Sequence, residues 1–163
     1  MQYTLLAQPA PYQTTLDTPV GRLLIEGDKE AVTAIRWVAP DVPAGKGNRV
    51  VIHARKQLRE YFKGKRQAFD VPIDLSRLTE FQRAVLSQVS SIDFGETTTY
   101  AEIARKLNKA TASRAVGQAN AHNPINIIVP CHRVLSASGK LTGYAGGVKA
   151  KEWLLQHEKA LLV

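Results

Sequence analysis

The sequence has one cysteine and one methionine in 163 residues, and it is short of acids, with 14 Asp and Glu against 22 Lys and Arg. Each shortage excludes something. A single thiol, Cys131, cannot close an internal disulfide, so it is expected to stay reduced, which fits a cytoplasmic setting. Structural zinc needs several Cys and His ligands at close spacing. The four histidines, His53, His122, His132 and His157, are scattered, and no metal is expected. No run reaches the roughly 18 consecutive apolar residues that a membrane helix needs. The amino terminus, MQYTLLAQPAPYQTT, has no positive stretch ahead of an apolar core, so no secretory signal is expected either. What is left is the makeup of a globular protein, 44% hydrophobic and 22% charged, with length for one ordinary core or two small ones packed together.

The deficit of acids leaves a net charge of +8. Residues 1–80 carry 12 Lys and Arg against 9 Asp and Glu, and residues 81–163 carry 10 against 5, so the excess leans toward the carboxyl half. A basic domain suits a polyanion, because each neutralised phosphate releases condensed counterions. The same charge would also serve solubility alone.

The pattern along the chain predicts an α+β fold in two parts. Two alternating apolar runs, 22–26 and 31–38, flank Gly27-Asp28 and read as a β-hairpin or short antiparallel sheet. APDVPAGKGN is a loop, and Val51, Ala54, Leu58, Tyr61 and Phe62 then fall near helical spacing before Gly64. This small amino-terminal α/β unit, 1–76, holds no constellation of acids, nucleophiles or ligands, and its expected role is support. The second unit, 77–163, reads as mostly helical. Thr79-Glu80-Phe81-Gln82 is a capping-box pattern ahead of an apolar stripe at Phe81, Val85, Leu86 and Val89, and Thr99-Tyr100-Ala101-Glu102 repeats it ahead of Ile103, Ala104 and Leu107. After Asn108-Lys109-Ala110 a further helix starts at Thr111, rich in small residues. Two short helices about a tight turn form a helix-turn-helix pattern, whose second helix usually enters a DNA groove. Ala112, Ala115, Gly117 and Ala119 would let that helix come close to a duplex, with Arg114 projecting from its first turn; many helical hairpins, however, bind nothing.

The sole thiol sits in NIIVPCHRVL, where Ile127, Ile128 and Val129 read as a buried strand ending at Pro130. A lone cysteine is commonly an inert buried hydrophobe. His132 follows it, and an imidazole able to take the thiol proton lowers the cost of making the thiolate nucleophile. Neighbours on an extended strand point to opposite faces, so adjacency alone does not bring sulfur and ring together; a turn after Pro130 or a bridging water would. Glu158, on the amphipathic final helix 148–158, is the candidate acid behind the imidazole, although an ordinary solvated glutamate reads the same way.

RAVGQANAHNPINIIVPCHRV followed by GKLTGYAGGVKAKEWLLQHE resembles the active-site and carboxyl-terminal segment of the O6-alkylguanine-DNA alkyltransferases, the methylated-DNA–protein-cysteine methyltransferases. The resemblance runs from about Pro72 to Lys159, and before it only the family's general layout is shared. It implies repair by direct reversal: Cys131 takes an alkyl group from O6 of guanine, and by extension O4 of thymine, in double-stranded DNA. The thioether is final, each molecule acts once, and no cofactor is needed because the acceptor is the protein's own side chain. It implies His132 as water-linked base, Glu158 as the acid orienting it, Asn123 as the tie between the preceding turn and the cysteine segment, and Tyr100 as proton donor to the leaving base. Since the base must leave the stack, Arg114 is implied to fill the gap, on a minor-groove face with Thr99, Tyr100, Ala112, Ser113, Ala115 and Gly117. Pro130, Val134, Tyr144, Ala145 and Gly146 are implied as the base pocket. Asn123 would also serve in an ordinary Asn-Pro turn, and Tyr100 as a core aromatic. Two departures stand out: Ala145 where relatives often carry serine, and Asn126 where some have proline, which bear on alkyl-group range and loop rigidity. A monomer is expected, with no membrane association. A dimeric transcription factor leaves PCHRV unexplained, a cysteine hydrolase would need an oxyanion hole, and an alkyltransferase-like protein that recognises the lesion without transfer would lack Cys131. A full adaptive-response regulator would need a second cysteine domain.

Overall fold

The computed structural model describes residues 12–160. Residues 1–11, which hold most of the stretch read for a secretory signal, lie outside the described residues, as do 161–163. Three strands, β1 (Tyr12–Thr18), β2 (Gly21–Gly27) and β3 (Val32–Val38), form an antiparallel sheet in the order β1-β2-β3. The expected hairpin is β2-β3; β1 was not anticipated, because TTLDT carries only one strongly apolar residue, Leu16, facing the core. At the β2-β3 turn the register shifts, and a Cβ on Gly27 would lie 2.8 Å from the Ala31 carbonyl, so only glycine fits the approach. Helix α1 (Arg49–Phe62) is capped by Asn48, whose side chain accepts from Val51 N at 3.0 Å, and buries Val51, Ala54, Leu58 and Tyr61 against the sheet.

The free edge of β3 is not left open. Val32 bridges Ile73 in the connecting segment, and Ile35 bridges Ile125, taking hydrogen bonds to Pro124 O at 2.8 Å and from Asn126 N at 3.0 Å. An exposed edge invites foreign strands; here the second half of the chain occupies it. The buried residues of both halves form one continuous core, from Leu23 and Ile35 through Val85 and Val116 to Leu154.

The carboxyl half comprises α2 (Glu80–Ser90), β4 (Thr98–Thr99), α3 (Tyr100–Lys106), α4 (Ser113–Ala121), a 3-10 turn at Cys131–Arg133, β5 (Val134–Leu135) and α5 (Val148–His157). Thr79 and Gln82 make the full reciprocal capping box on α2. At α3 only half of it forms: Thr99 accepts from Glu102 N at 3.1 Å, but the Glu102 carboxylate turns to Arg105. Helix α4 starts at Ser113 rather than Thr111, without a side-chain cap. β4 and β5 pair in parallel, Thr98 with Val134 and Thr99 with Leu135, which docks the start of α3 beside the cysteine segment.

The strand expected over Ile127–Val129 is absent. Ile127 has φ 73°, a conformation rare for a β-branched residue and costing about 1–3 kcal/mol. Around it Ile128 N donates to Asn126 O at 2.9 Å, and Cys131 N to Val129 O at 2.8 Å. Two tight reversals thus replace an extended run. An apolar run of this length has the same composition whether it is a strand or a buried turn, and periodicity cannot separate them.

Candidate active site

Those reversals bring the side chains on either side of them together. Cys131 and His132 open the 3-10 turn, where successive side chains diverge by about a third of a turn instead of pointing to opposite faces. His132 is fully buried, and its Nε2 lies 2.7 Å from Glu158 Oε2. Glu158 caps the last helix, one residue beyond α5, and is also buried. It accepts from Arg133 Nε at 2.7 Å, from Arg133 Nη2 at 3.1 Å and from Tyr61 Oη at 2.5 Å. Burial alone would raise this carboxyl, but the hydrogen bonds and charges of His132 and Arg133 outweigh it and hold it down at about 2.

An ionised Glu158 fixes the imidazole. Burial lowers the His132 pKa more than the carboxylate raises it, so the ring is neutral, and its single proton belongs on Nε2, where the carboxylate accepts it. Nδ1 is then a bare lone pair, and it is buried without a hydrogen-bond partner among the described residues. Such an atom is a base awaiting a proton.

The thiol differs from the simplest expectation. Burial pushes Cys131 up to about 11, although the Asn123 amide and the Lys151 charge both pull it down. The resting sulfur is therefore a neutral thiol, and its proton points to Asn126 Oδ1 at 3.7 Å. Asn123 Nδ2 donates to Val129 O at 2.8 Å, and its Oδ1 accepts from Ile125 N at 2.9 Å. Tyr100, at the start of α3, is half-buried, and its ring lies against Gly117 of α4. Burial and the nearby Cys131 raise its pKa, so the phenol keeps its proton.

Residues 80–160 match the family described as 6-O-methylguanine DNA methyltransferase, DNA binding domain, and residues 11–75 match the ribonuclease-like domain of the same family. The methylated-DNA–protein-cysteine methyltransferase of Mycobacterium tuberculosis is 45% identical over 157 residues, covering 90% of this chain and 91% of the relative. That of Methanosarcina acetivorans is 42% identical, covering 90% and 97%. The crystal structure of the Mycobacterium tuberculosis O6-methylguanine methyltransferase superposes with a TM-score of 0.83 at 43% identity, covering 91% of this chain and 93% of that one, and the same protein solved in complex with DNA gives 0.82. The chain belongs to the 6-O-methylguanine DNA methyltransferase family.

Within this methyltransferase fold, the other residues singled out from sequence fall in two places. On α4, Arg114 and Ala115 are exposed and Ala112, Ser113 and Gly117 half-buried, with Thr99 and Tyr100 of the preceding helix start close by. Ala119 is not on that face; it is 4% exposed and packs inward with Val116. Tyr144 is buried near Cys131, Ala145 is exposed, and Gly146 lies so close to Trp37 that a Cβ there would come 2.6 Å from the indole nitrogen. The Val134 side chain is buried, and its carbonyl accepts from Lys151 Nζ at 2.8 Å. Pro130 lines a separate cavity of about 500 Å³ with Ile92, Phe94, Ile128 and Arg133.

Several members of the site were missed in the sequence. Arg133 spans from Glu158 to Ile92 O, at 2.6 Å, and reads in sequence as one more surface cation. Buried Lys151 holds Val134 O and Thr142 O at 2.8 and 3.0 Å. Asn120 Nδ2 donates to Cys131 O at 3.2 Å, and a lone polar residue on the apolar face of α4 was the available signal. The amino-terminal unit does more than support: Tyr61 of α1 donates to Glu158, and Trp37 of β3 donates to Tyr144 Oη at 3.2 Å.

Proposed function

We propose that this chain is a methylated-DNA–protein-cysteine S-methyltransferase that moves an alkyl group from O6 of guanine in double-stranded DNA, and by the same geometry from O4 of thymine, onto Sγ of Cys131, once per molecule. The observation that carries this reading is the bare Nδ1 of His132, the buried residue that follows the sole thiol, on a ring kept neutral by burial and held in one tautomer by the Glu158 carboxylate at Nε2. Family membership supplies the substrate class.

The chemistry follows from these charges. His132 Nδ1 takes the thiol proton, through a bridging water, and Glu158 stabilises the imidazolium that forms. The new thiolate attacks the alkyl carbon; an S–C bond forms, the C–O bond breaks, and the purine leaves with the electron pair. Tyr100 gives it a proton, and the imidazolium proton restores the phenol. The protein ends as a thioether, with neutral His132 and Tyr100. No cofactor enters, since the acceptor is a side chain. Lys151 opposes the desolvation of the thiolate, and Asn123 and Asn120 fix the backbone of the cysteine turn.

An alkyl group on a stacked base is out of reach, so the nucleotide must rotate out of the duplex. In this reading the face of α4 with Ala112, Ser113, Ala115 and Gly117 lies in the minor groove, Arg114 fills the vacated stack, and Thr99 and Tyr100 meet the displaced phosphate. Val134, Tyr144, Ala145 and Gly146 form the pocket, with backbone amides able to reach the purine, while the Pro130 ring faces the separate cavity behind the cysteine turn. Residues 1–76 and 77–163 act as two units of one monomer, the second carrying DNA contact and chemistry.

The test is intact-protein mass after incubation with a duplex bearing O6-methylguanine. One methyl should appear on each molecule, located at Cys131, with no further turnover. Binding without a mass change would replace transfer by recognition alone, and repeated demethylation by one molecule would refute the single-use mechanism.

A further inference from the structure

We propose that Asn126 is a positioning residue that locks the Cys131 thiol in its protonated resting form, using the edge of the amino-terminal sheet as its anchor. Its Nδ2 donates to Ile35 O of β3 at 2.9 Å, and its own backbone N–H donates to the same oxygen at 3.0 Å. A carbonyl acceptor decides which end of an amide is nitrogen, so Oδ1 is the end turned to the sulfur. Sγ donates to it at 3.7 Å, with Asn126 only 3% and Cys131 only 6% exposed. The negative end of a fixed dipole stabilises S–H and opposes S⁻.

The other groups facing the sulfur do not compensate. Tyr100 of α3 and Tyr144 keep their protons, and His132, next in the chain, is neutral. Lys151 of α5 and the Asn123 amide favour the thiolate, yet burial prevails and the thiol stays at about 11. The lock rests on Cys131 being the alkyl acceptor and adds regulation to that role. A nucleophile used once is lost to any oxidant or stray electrophile that meets its thiolate. Held to Oδ1, the proton leaves only when the thiol swings toward the water-linked imidazole.

The test reads the sulfur without DNA, so it stands apart from failure of the transfer assay. With one cysteine, the infrared S–H stretch is a single band. It should lie at the lower wavenumber of a hydrogen-bonded thiol and rise in Asn126→Val, which keeps bulk and removes the acceptor. Alkylation by iodoacetamide and by the larger N-ethylmaleimide, followed from pH 6 to 9, should accelerate in that variant by about threefold and equally for both, as for a pKa lowered by roughly one unit, whose gain in thiolate is partly offset by lower nucleophilicity. A wild-type band at the unbonded position refutes the lock, even if the variant does not fold. So does an unchanged or slower reaction, or an acceleration that differs between the two reagents, which reports access.

Discussion

Replacing Glu158 by glutamine tests the core of the site, because it removes one charge while keeping the shape. Four donor contacts converge on this carboxylate, two of them from Arg133, which is 5% exposed. Neutralising it leaves a guanidinium buried without a counter-charge, and removing one partner of a buried pair costs about 3–5 kcal/mol. Linkage gives a similar figure. A carboxyl at about 2 when folded, against 4.5 ordinarily, contributes about 3 kcal/mol of stability at neutral pH. Since the folded pKa is the lower one, that contribution is complete above pH 4.5 and is lost as pH falls toward 2. Urea unfolding of wild type and Glu158→Gln at pH 7 should therefore differ by about 3–5 kcal/mol, a drop of roughly 6–20 °C in Tm. The gap should shrink by more than half by pH 3, because all other carboxyls cancel in the difference. A gap below about 1 kcal/mol at pH 7, or one that stays constant between pH 6 and 3, would refute the assignment of Glu158 as the ionised hub.

Gly146→Ala places a methyl 2.6 Å from the Trp37 indole nitrogen, so the ring or the loop must move. Overpacking of this kind costs about 1–3 kcal/mol; thermal melts should report it, and tryptophan fluorescence should shift as the hydrogen bond to Tyr144 breaks. Arg114→Ala removes an exposed side chain from the first turn of α4, so unfolding should change by less than about 0.5 kcal/mol. Transfer from duplex DNA should slow at least tenfold, while transfer from free O6-methylguanine base is unchanged. Equal slowing with both substrates would remove Arg114 from base extrusion.

How much of this was legible in the sequence depended on whether the signal was local. Caps and stripes were, so α1, α2 and α5 fall within a residue or two of expectation, and the PCHRV motif led to Cys131, His132 and, through the family, Glu158. The turn at Ile127 was not, because its positive φ is imposed by tertiary contacts that no β-branched residue favours by itself. Arg133, Lys151 and Tyr61 were not legible for another reason. A charged or phenolic side chain is usually solvated, and its burial here depends on partners 25, 17 and 97 positions away. The Asn126 side chain reaches the sheet across 91 residues.

The zipper of contacts along β3, where Val32 meets Ile73 and Ile35 meets Ile125, has a bearing on any attempt to shorten the protein. A fragment cut after residue 76 would strip Glu158 of its phenol and Tyr144 of its indole, and would expose the apolar flank of Ile125 to solvent. Engineering a minimal version would thus require rebuilding that flank, and swapping the amino-terminal half between relatives would carry over the settings of the nucleophile with it.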